Sequence, residues 1–327
     1  MQTCDNFRSG CAGGCVIGFL DQEIIGNTGY IANFNAVNAF YRNDTDPRSG
    51  AVRFTDVTHE THTQLPLGGY FTFFFDYDND GNLDLFCSEM SDYETALYSK
   101  LNGHTRRDQN RPALYRNEGD GHFDDQTYQA GLGRSFGTTG VQCGDFDGDG
   151  YPDIYLANGG AETGRLEPDV LLLNSRDGKF ADIAAPLGMD QPGKGHGVSF
   201  ADYDGDGDQD IYVPMGGAYP GDPWTNKLYR NDSQGGNWLT LRLVGVRSNR
   251  DGIGARVRVW AGGQTRYAEV ISGGGAGANN SLQIEMGLSQ ASGVEELQIR
   301  WPSGQVDTHR NLVVNQVVIV KEGEPLR

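Results

Sequence analysis

A nine-residue acidic frame occurs three times in this chain of 327 residues. It reads D-[FY]-D-x-D-G-x-x-D, is followed by apolar residues, and begins at Asp76, Asp145 and Asp202. Four carboxylates this close together repel one another, so each copy needs a counter-charge before it can fold. A motif that recurs at intervals of 69 and 57 residues predicts an array of structural repeats.

The spacing of the acids indicates the counter-charge. Each frame has carboxylates at positions 1, 3, 5 and 9 and a glycine at position 6. Calcium binds six to eight oxygens at about 2.3–2.6 Å, and oxygens at alternate positions of a tight loop can surround it. Glycine at position 6 tolerates the positive φ of a sharp turn. We therefore predict three calcium sites; an acidic, solvated turn without metal is the alternative for any single copy.

The frame differs from an EF-hand at its end. Position 12 of an EF-hand is a bidentate glutamate, but here it is Cys87, Leu156 or Val213. The residues after position 9 favour a β-strand. We expect the carboxylate at position 9 to take the bidentate role.

A second motif follows each frame and also precedes the first one. It consists of a short apolar run, a turn of Asn, Asp and Gly, and a second short run, which predicts a β-hairpin. The four copies begin with "AFYRN", "ALYRN", "LLLN" and "KLYRN", at Ala39, Ala113, Leu171 and Lys227. Four units are therefore predicted, and the first lacks the acidic frame, so we expect it to bind no ion.

Charge divides the chain into two parts. Residues 1–237 contain 16 basic and 36 acidic residues, whereas residues 238–327 contain 10 and 8. The total of −18 argues against nucleic acid as a partner, because phosphate binding needs a basic face. We predict a repeat domain over residues 1–237 and a second domain over 238–327.

Composition favours strands throughout. The 48 glycines fit many turns, and no long stretch has helical periodicity. No run of about 18 apolar residues is present, which argues against a membrane span. In residues 238–327, six segments alternate apolar and polar residues, and this pattern predicts a small sandwich or barrel.

The acidic frames and hairpins of residues 15–237 resemble the FG-GAP/VCBS repeats of integrin-like β-propellers. The resemblance implies an all-β propeller in which each repeat is a blade. Four blades are few, since such propellers commonly have about seven; a small ring, a fragment and completion between subunits all remain open. The resemblance also implies these ligands, with position 7 offering backbone oxygens: Asp76, Asp78, Asp80, Asn82, Asp84, Asp145, Asp147, Asp149, Tyr151, Asp153, Asp202, Asp204, Asp206, Asp208 and Asp210.

The segments "NWLTLRLVGVRSNRDGIGARVRVWAGG" and "VEELQIRWPSG" resemble the ASPIC/UnbV domain. That domain follows FG-GAP/VCBS repeats in the cartilage acidic protein family and its bacterial relatives. The combined resemblance implies a secreted, calcium-binding propeller for binding, adhesion or assembly, located outside the cell, in the periplasm or at the cell surface. A protein or glycan ligand and a homo-oligomer or filament with contacts from residues 1–57 are the expected partners.

Two other functions are kept as alternatives: an enzyme acting on a polysaccharide or small molecule in the propeller channel, and a self-assembling structural subunit. The catalytic motifs are weak. "GRSFG" around Ser135 lacks the following helix of a nucleophile elbow, the histidines of "HETH" (59–62) are three residues apart, and His196 precedes the third frame. We predict no catalytic role for them. Three cysteines in the first fifteen residues are consistent with one disulfide in an oxidising compartment.

Overall fold

The computed structural model describes residues 15–22, 26–34, 36–46, 48–105, 109–160, 164–216, 220–221, 224–233, 236–274 and 278–326. The chain forms two compact units: the first comprises Met1–Phe74, Leu85–Tyr128 and Leu132–Thr138, and the second comprises Phe75–Asp84, Gln129–Gly131 and Thr139–Arg327. The disulfide predicted among Cys4, Cys11 and Cys15 involves side chains outside the described part. Cys87 and Cys143 are free thiols.

Two sheets of four strands belong mainly to the first unit. The first sheet has the order β1-β2-β3-β4 with antiparallel neighbours. Its strands are β1 (Cys15–Gln22), β2 (Gly26–Asn33), β3 (Ala39–Asn43) and β4 (Phe54–Asp56). The second sheet has the order β5-β6-β7-β8. Its strands are β5 (Gly69–Phe75), β6 (Asp84–Glu89), β7 (Ala113–Asn117) and β8 (Phe123–Asp125).

Two short helices accompany these sheets: α1 (Thr58–Thr61) and α2 (Tyr93–Asn102). The sequence analysis did not predict α2, because its hydrophobic periodicity is weak. Its ends do have the expected signals. The carboxylate of Asp92 accepts from the Thr95 amide at 2.9 Å as an N-cap, and Gly103 ends the helix at φ 77°. Capping and docking, rather than an apolar stripe, define this helix.

The second unit contains the third and fourth repeat sheets. The third has the order β13-β12-β10-β9, and β11 pairs with β14 beside it. These strands are β9 (Thr138–Gly144), β10 (Asp153–Asn158), β11 (Glu167–Pro168), β12 (Val170–Asn174), β13 (Phe180–Asp182) and β14 (Pro192–Gly193). The fourth has the order β15-β16-β17. Its strands are β15 (Ser199–Ala201), β16 (Asp210–Val213) and β17 (Lys227–Tyr229).

Three of the four predicted hairpins are present: β3–β4, β7–β8 and β12–β13 are antiparallel pairs. The hairpin predicted from Lys227 is wrong. Among the described residues β17 pairs only with β16, and the strand after it pairs elsewhere. The "F-x-D" sequence that forms the outer strand of the other sheets does not follow "KLYRN". The fourth sheet therefore has three strands in the described part of the chain.

Seven strands follow in the C-terminal part of the second unit, one more than predicted. They form the sheets β21-β18-β24 and β20-β19-β22-β23. Their bounds are β18 (Asn237–Val244), β19 (Arg256–Ala261), β20 (Gln264–Glu269), β21 (Ile284–Ser289), β22 (Val294–Arg300), β23 (Val306–Leu312) and β24 (Gln316–Lys321). The missed strand, β23, is polar and lies at a sheet edge. Its Asp307 is nevertheless buried and accepts from Trp301 Nε1 at 2.7 Å.

One apolar core lies between these two C-terminal sheets. It includes Leu239 and Leu241 of β18, Val257 and Val259 of β19, and Leu297 of β22, all 0–1% exposed. Buried residues alternate with more exposed ones along β19, and two sheets that enclose one core are the arrangement of a sandwich. The predicted fold class is confirmed: the chain is all-β, with propeller-type repeat sheets and a small C-terminal β-domain.

We predict that Leu297→Ala lowers the free energy of unfolding by about 2–5 kcal/mol, because it leaves a cavity in a fully buried core. Val317→Ala is the matched control, since Val317 is 56% exposed and should lose less than about 0.5 kcal/mol. Denaturant unfolding of both variants measures the difference. Equal losses would contradict the assigned core.

Candidate metal centre

The three acidic frames form three loops at equivalent places in the repeat sheets. The first acidic loop, 76–84, joins β5 to β6; the second, 145–153, joins β9 to β10; and the third, 202–210, joins β15 to β16. The strand after the loop is fully buried in the second and third sheets. Each loop is therefore anchored at its end by a core strand.

The aspartate at position 1 organises the backbone of its loop. Asp76 accepts from the amides of Asp80 at 3.0 Å and Gly81 at 2.9 Å. The corresponding bonds to Asp145 are both 3.0 Å, and those to Asp202 are 3.1 and 3.0 Å. The three copies thus share one conformation, as their common sequence predicts.

Positive φ angles make this conformation possible. The glycine at position 6 has φ of 94°, 89° and 99° in the three loops, as expected from the sequence. Position 4 also has positive φ, at 57° for Asn79, 69° for Gly148 and 79° for Gly205. The sequence analysis overlooked position 4, although its Asn/Gly/Gly composition is typical of the left-handed region.

The aspartate at position 9 is buried in every copy: Asp84 is 0%, Asp153 1% and Asp210 2% exposed. Its Oδ2 accepts from the backbone amide of position 2, at 3.1, 2.8 and 2.9 Å. In the last two loops its Oδ1 accepts from the amide of an asparagine that follows the next strand, Asn174 at 2.7 Å and Asn231 at 2.8 Å. These asparagines end the "LLLN" and "KLYRN" motifs, and their supporting role was not predicted.

Three carboxylates converge in each loop, with one oxygen from each lying within 4.8 Å of the others. Among the described residues these groups are Asp76, Asp78 and Asp84; Asp145, Asp147 and Asp153; and Asp202, Asp204 and Asp206. Two ligands of one calcium ion are separated by at most about 5 Å, twice the metal–oxygen distance. Each group therefore fits a single calcium-sized ion.

Some predicted ligands lie outside these groups. Asp80, Asp149 and Asp210 do not belong to the convergent set of their loops. The carboxylate of Asp149 instead pairs with Arg176 Nε. The side chain of Asp208 accepts from Ser233 Oγ at 3.2 Å. The backbone oxygens expected from Asn82, Tyr151 and Asp208 remain a prediction.

Burial raises the pKa of several of these carboxyls above the usual 3.8. The pKa of Asp76 and that of Asp145 rise to about 7, and the pKa of Asp147 rises to about 6. Repulsion from the neighbouring aspartates adds to the effect of burial in each case. The convergent groups are therefore costly to ionise unless a cation is present.

The C-terminal sandwich lies directly against the first acidic loop. Arg256 Nη2 donates to the carbonyl of Gly81 at 2.9 Å. The backbone amide of Tyr267 donates to Asn79 Oδ1 at 3.0 Å. Because Asn79 Nδ2 also donates to the carbonyl of Gly150 at 2.8 Å, one side chain joins two acidic loops to β20.

The sandwich holds the second acidic loop more closely. The amide of Gly287 donates to Asp145 Oδ2 at 2.7 Å, so a residue of β21 contacts a convergent carboxylate. The amide of Ser289 donates to the carbonyl of Gly148 at 3.2 Å. The guanidinium of Arg266, 2% exposed, donates to the carbonyl of Asp149 at 3.4 Å.

The third acidic loop contacts the sandwich through Glu285 of β21. Glu285 Oε2 accepts from the amide of Asp202 and from Gln209 Nε2, both at 3.1 Å. Gly207 lies so close to the indole of Trp238 that a Cβ atom there would collide with it. All three loops thus pack on one domain, a relation that the sequence analysis did not predict.

The structure shows where the residues of the three weak catalytic motifs lie and what some of them contact. Ser135 is 2% exposed, and its hydroxyl donates to Thr105 Oγ1 and to the carbonyl of Asn110. His59 and His62 are exposed and belong to α1 and its C-cap. The amide of His196 donates to the carbonyl of Pro214 at 3.0 Å. None of these contacts activates a nucleophile.

No helix in the described part of the chain is both long enough and apolar enough to span a membrane.

Comparisons with known proteins match two families. The FG-GAP-like repeat family matches residues 102–156 and 158–213, and the ASPIC and UnbV family matches residues 245–327. Human cartilage acidic protein 1 is 38% identical over 88 residues, which are 27% of this chain and 12% of the human protein. The match therefore covers a small part of that relative.

Two solved structures are similar at low scores. The Dos1 propeller is 10% identical with a TM-score of 0.33, covering 90% of this chain and 67% of that one. The periplasmic gluconolactonase of Pseudomonas aeruginosa is 13% identical with a TM-score of 0.29, covering 92% and 85%. From the family matches, the chain consists of FG-GAP-like repeats of the β-propeller class followed by an ASPIC and UnbV domain.

Proposed function

We propose that this chain is a calcium-binding β-propeller protein with one ion in each acidic loop. The observation that carries the proposal is that three carboxylates converge in each of the three loops, with one oxygen from each within 4.8 Å of the others; they are positions 1, 3 and 9 in the first two loops and positions 1, 3 and 5 in the third. Hard oxygen ligands suit calcium and magnesium, but magnesium usually keeps several waters and avoids cages made entirely by the protein. Calcium fits better, because we expect position 7 of each loop to add a backbone carbonyl as a further protein ligand.

The convergent aspartates would hold the ion, and position 9 would provide the buried anchor. When bound, calcium supplies the positive charge that lets these carboxylates remain ionised at neutral pH. The protein's own contribution is preorganisation. Position 1 binds two backbone amides and position 9 binds one or two more, and these bonds hold the loop in the shape that the ion requires.

Calcium would also stabilise the junction with the ASPIC and UnbV domain. Gly287 donates to Asp145 itself, and Arg256, Arg266 and Glu285 bind the backbone of the loops. Loss of the ions would leave concentrated negative charge under this domain. We therefore infer that the three ions keep the acidic loops in the shape on which the C-terminal domain packs.

We also propose a secreted role. Extracellular calcium modules work at dissociation constants of about 10⁻⁴–10⁻³ M, and sites of that affinity would be loaded outside the cell. The similarity to human cartilage acidic protein 1 supports an extracellular location. We propose that the chain serves binding, adhesion or assembly with a protein or glycan ligand.

Counting bound ions tests the proposal. Wild-type protein should bind three calcium ions, and Asp84→Asn should bind two, since it removes the buried anchor of one loop and keeps its shape. Asp177→Asn is the control, because Asp177 is an exposed partner of Lys179 outside the loops; it should bind three. Native mass spectrometry and calorimetric titration give these numbers. Wild-type protein that binds no calcium at millimolar concentration would refute the proposal.

A pair of glycine variants tests the junction. Gly207→Ala and Gly205→Ala face the same strain, with φ of 99° and 79°, but only Gly207 abuts Trp238. We predict a loss of about 1–3 kcal/mol for Gly205→Ala from strain alone and a clearly larger loss for Gly207→Ala. Thermal unfolding in calcium measures both. A smaller loss for Gly207→Ala would show that the loop and the sandwich are not in contact.

The raised pKa values give a pH prediction. Without calcium, Asp76 and Asp145 hold protons in the folded protein up to about pH 7 that the unfolded chain releases near 3.8. Stability of the calcium-free protein should therefore rise as the pH falls from about 8 to 5.5. Calcium affinity should fall over the same range, because protons compete for the ligands.

Melting temperatures in chelator and calcium titrations at both pH values measure these effects. Asp76→Asn is the control, and it should reduce the pH dependence in chelator. A melting temperature in chelator that does not change with pH would contradict the assigned burial of these carboxyls.

A further inference from the structure

The repeat sheets pack through one recurrent aromatic contact. Phe40 of the first sheet contacts Phe123 on the outer strand of the second sheet, with ring centroids 5.2 Å apart. Tyr77, in the loop of the second sheet, contacts Phe180 on the outer strand of the third sheet at 6.2 Å. The first sheet and the loop of the second sheet therefore each contact the outer-strand phenylalanine of the sheet that follows in sequence.

Burial shows how tightly these faces are covered. On the receiving face, Phe40, Leu114 and Leu171 occupy the same position of the third strand and are 1%, 0% and 0% exposed. The outer-strand residues Phe123 and Phe180 are 5% and 7% exposed. The third-strand residue and the outer-strand phenylalanine therefore both occupy repeated positions of the sequence.

The receiving face of the fourth sheet is uncovered. Leu228 is equivalent to Leu114 and Leu171 but is 50% exposed. Tyr212 pairs with Leu228 across the sheet and is 41% exposed, whereas its equivalents Phe86 and Tyr155 are 0% exposed. Tyr203, equivalent to the buried Tyr77, is 55% exposed.

The first sheet carries the outer-strand phenylalanine of this contact, and that side chain is largely exposed. Phe54 of β4 is equivalent to Phe123 and Phe180 in the outer-strand "F-x-D" sequence, but it is 47% exposed. No preceding repeat sheet in the described part of the chain supplies a receiving face for it. Among the described residues, the first sheet therefore presents an outer edge, and the fourth sheet a receiving face, that are complementary apolar surfaces.

We propose that the face formed by Tyr203, Tyr212 and Leu228 binds the Phe54 edge of a second copy of this chain. A second copy is the expected partner, because its Phe54 would repeat a contact that the chain already makes between its own sheets. Such an interface is heterologous and joins chains head to tail, so it either closes into a ring or extends as a filament. None of the four residues is a predicted calcium ligand. Tyr203 belongs to the third acidic loop, so Leu228 and Phe54, which lie outside the loops, are the residues to test.

Two variants that each remove one half of the contact test this proposal. Leu228→Asp places a charge on the receiving face, and Phe54→Asp places one on the opposite edge. Both side chains are half exposed, so the fold should survive, and unchanged melting temperatures verify this. Leu101→Asp is the control, because Leu101 is 76% exposed on α2 and belongs to neither half of the proposed contact.

Sedimentation velocity across a wide concentration range, with calcium present, measures the masses. Wild type and Leu101→Asp should exceed the monomer mass of 35.6 kDa increasingly with concentration. Each single variant should associate at least about thirtyfold more weakly, as for the loss of an interface hot spot.

A mixture of Leu228→Asp and Phe54→Asp is the decisive sample. Each variant keeps the half that the other has lost, so the mixture should form a one-to-one dimer and grow no further. A wild-type mass of 35.6 kDa at every concentration would overturn the proposal. So would single variants that assemble like the wild type, or a mixture that stays monomeric.

Discussion

Carboxylate repulsion is the constraint on which the rest of this structure depends. Each acidic loop gathers three aspartates whose oxygens lie within 4.8 Å, and the aspartate at position 9 of each loop is almost completely buried. Backbone amides satisfy part of this charge, and they fix the loop in one shape in all three copies. We propose that a calcium ion in each loop balances the remaining charge, because calcium prefers oxygen ligands at the spacing that the aspartates offer.

The C-terminal domain packs against the acidic loops and therefore depends on their shape. It binds loop backbone through Arg256, Arg266 and Glu285, and it donates an amide to Asp145. A change in the conformation of one loop would therefore affect both the strands that the loop joins and the sandwich that packs against it. The first and fourth repeat sheets differ from the inner sheets in their exposed surface. Leu228 and Phe54 expose apolar side chains, whereas the residues at the equivalent positions of the inner sheets are buried.

Sequence predicted the features that are local. The acidic frame, the glycine at position 6 and the hairpins at Ala39, Ala113 and Leu171 each depend on residues close together in the chain. It failed where distant residues decide. Tyr267 lies 188 residues from Asn79, to which it donates a hydrogen bond, and no local sequence pattern predicts such a contact. The missed strand β23 and helix α2 are polar segments defined by edges and caps, and the expected hairpin at Lys227 lacks its outer strand.

Scanning calorimetry of the full chain with saturating calcium and with chelator tests the central claim most directly. Ions that bind the folded protein stabilise it by about 2.7 kcal/mol per site at a hundredfold excess over the dissociation constant. The account predicts a clearly higher melting temperature in calcium, with the repeat sheets and the C-terminal sandwich both affected because they share the loops. Identical unfolding curves in calcium and in chelator would contradict it.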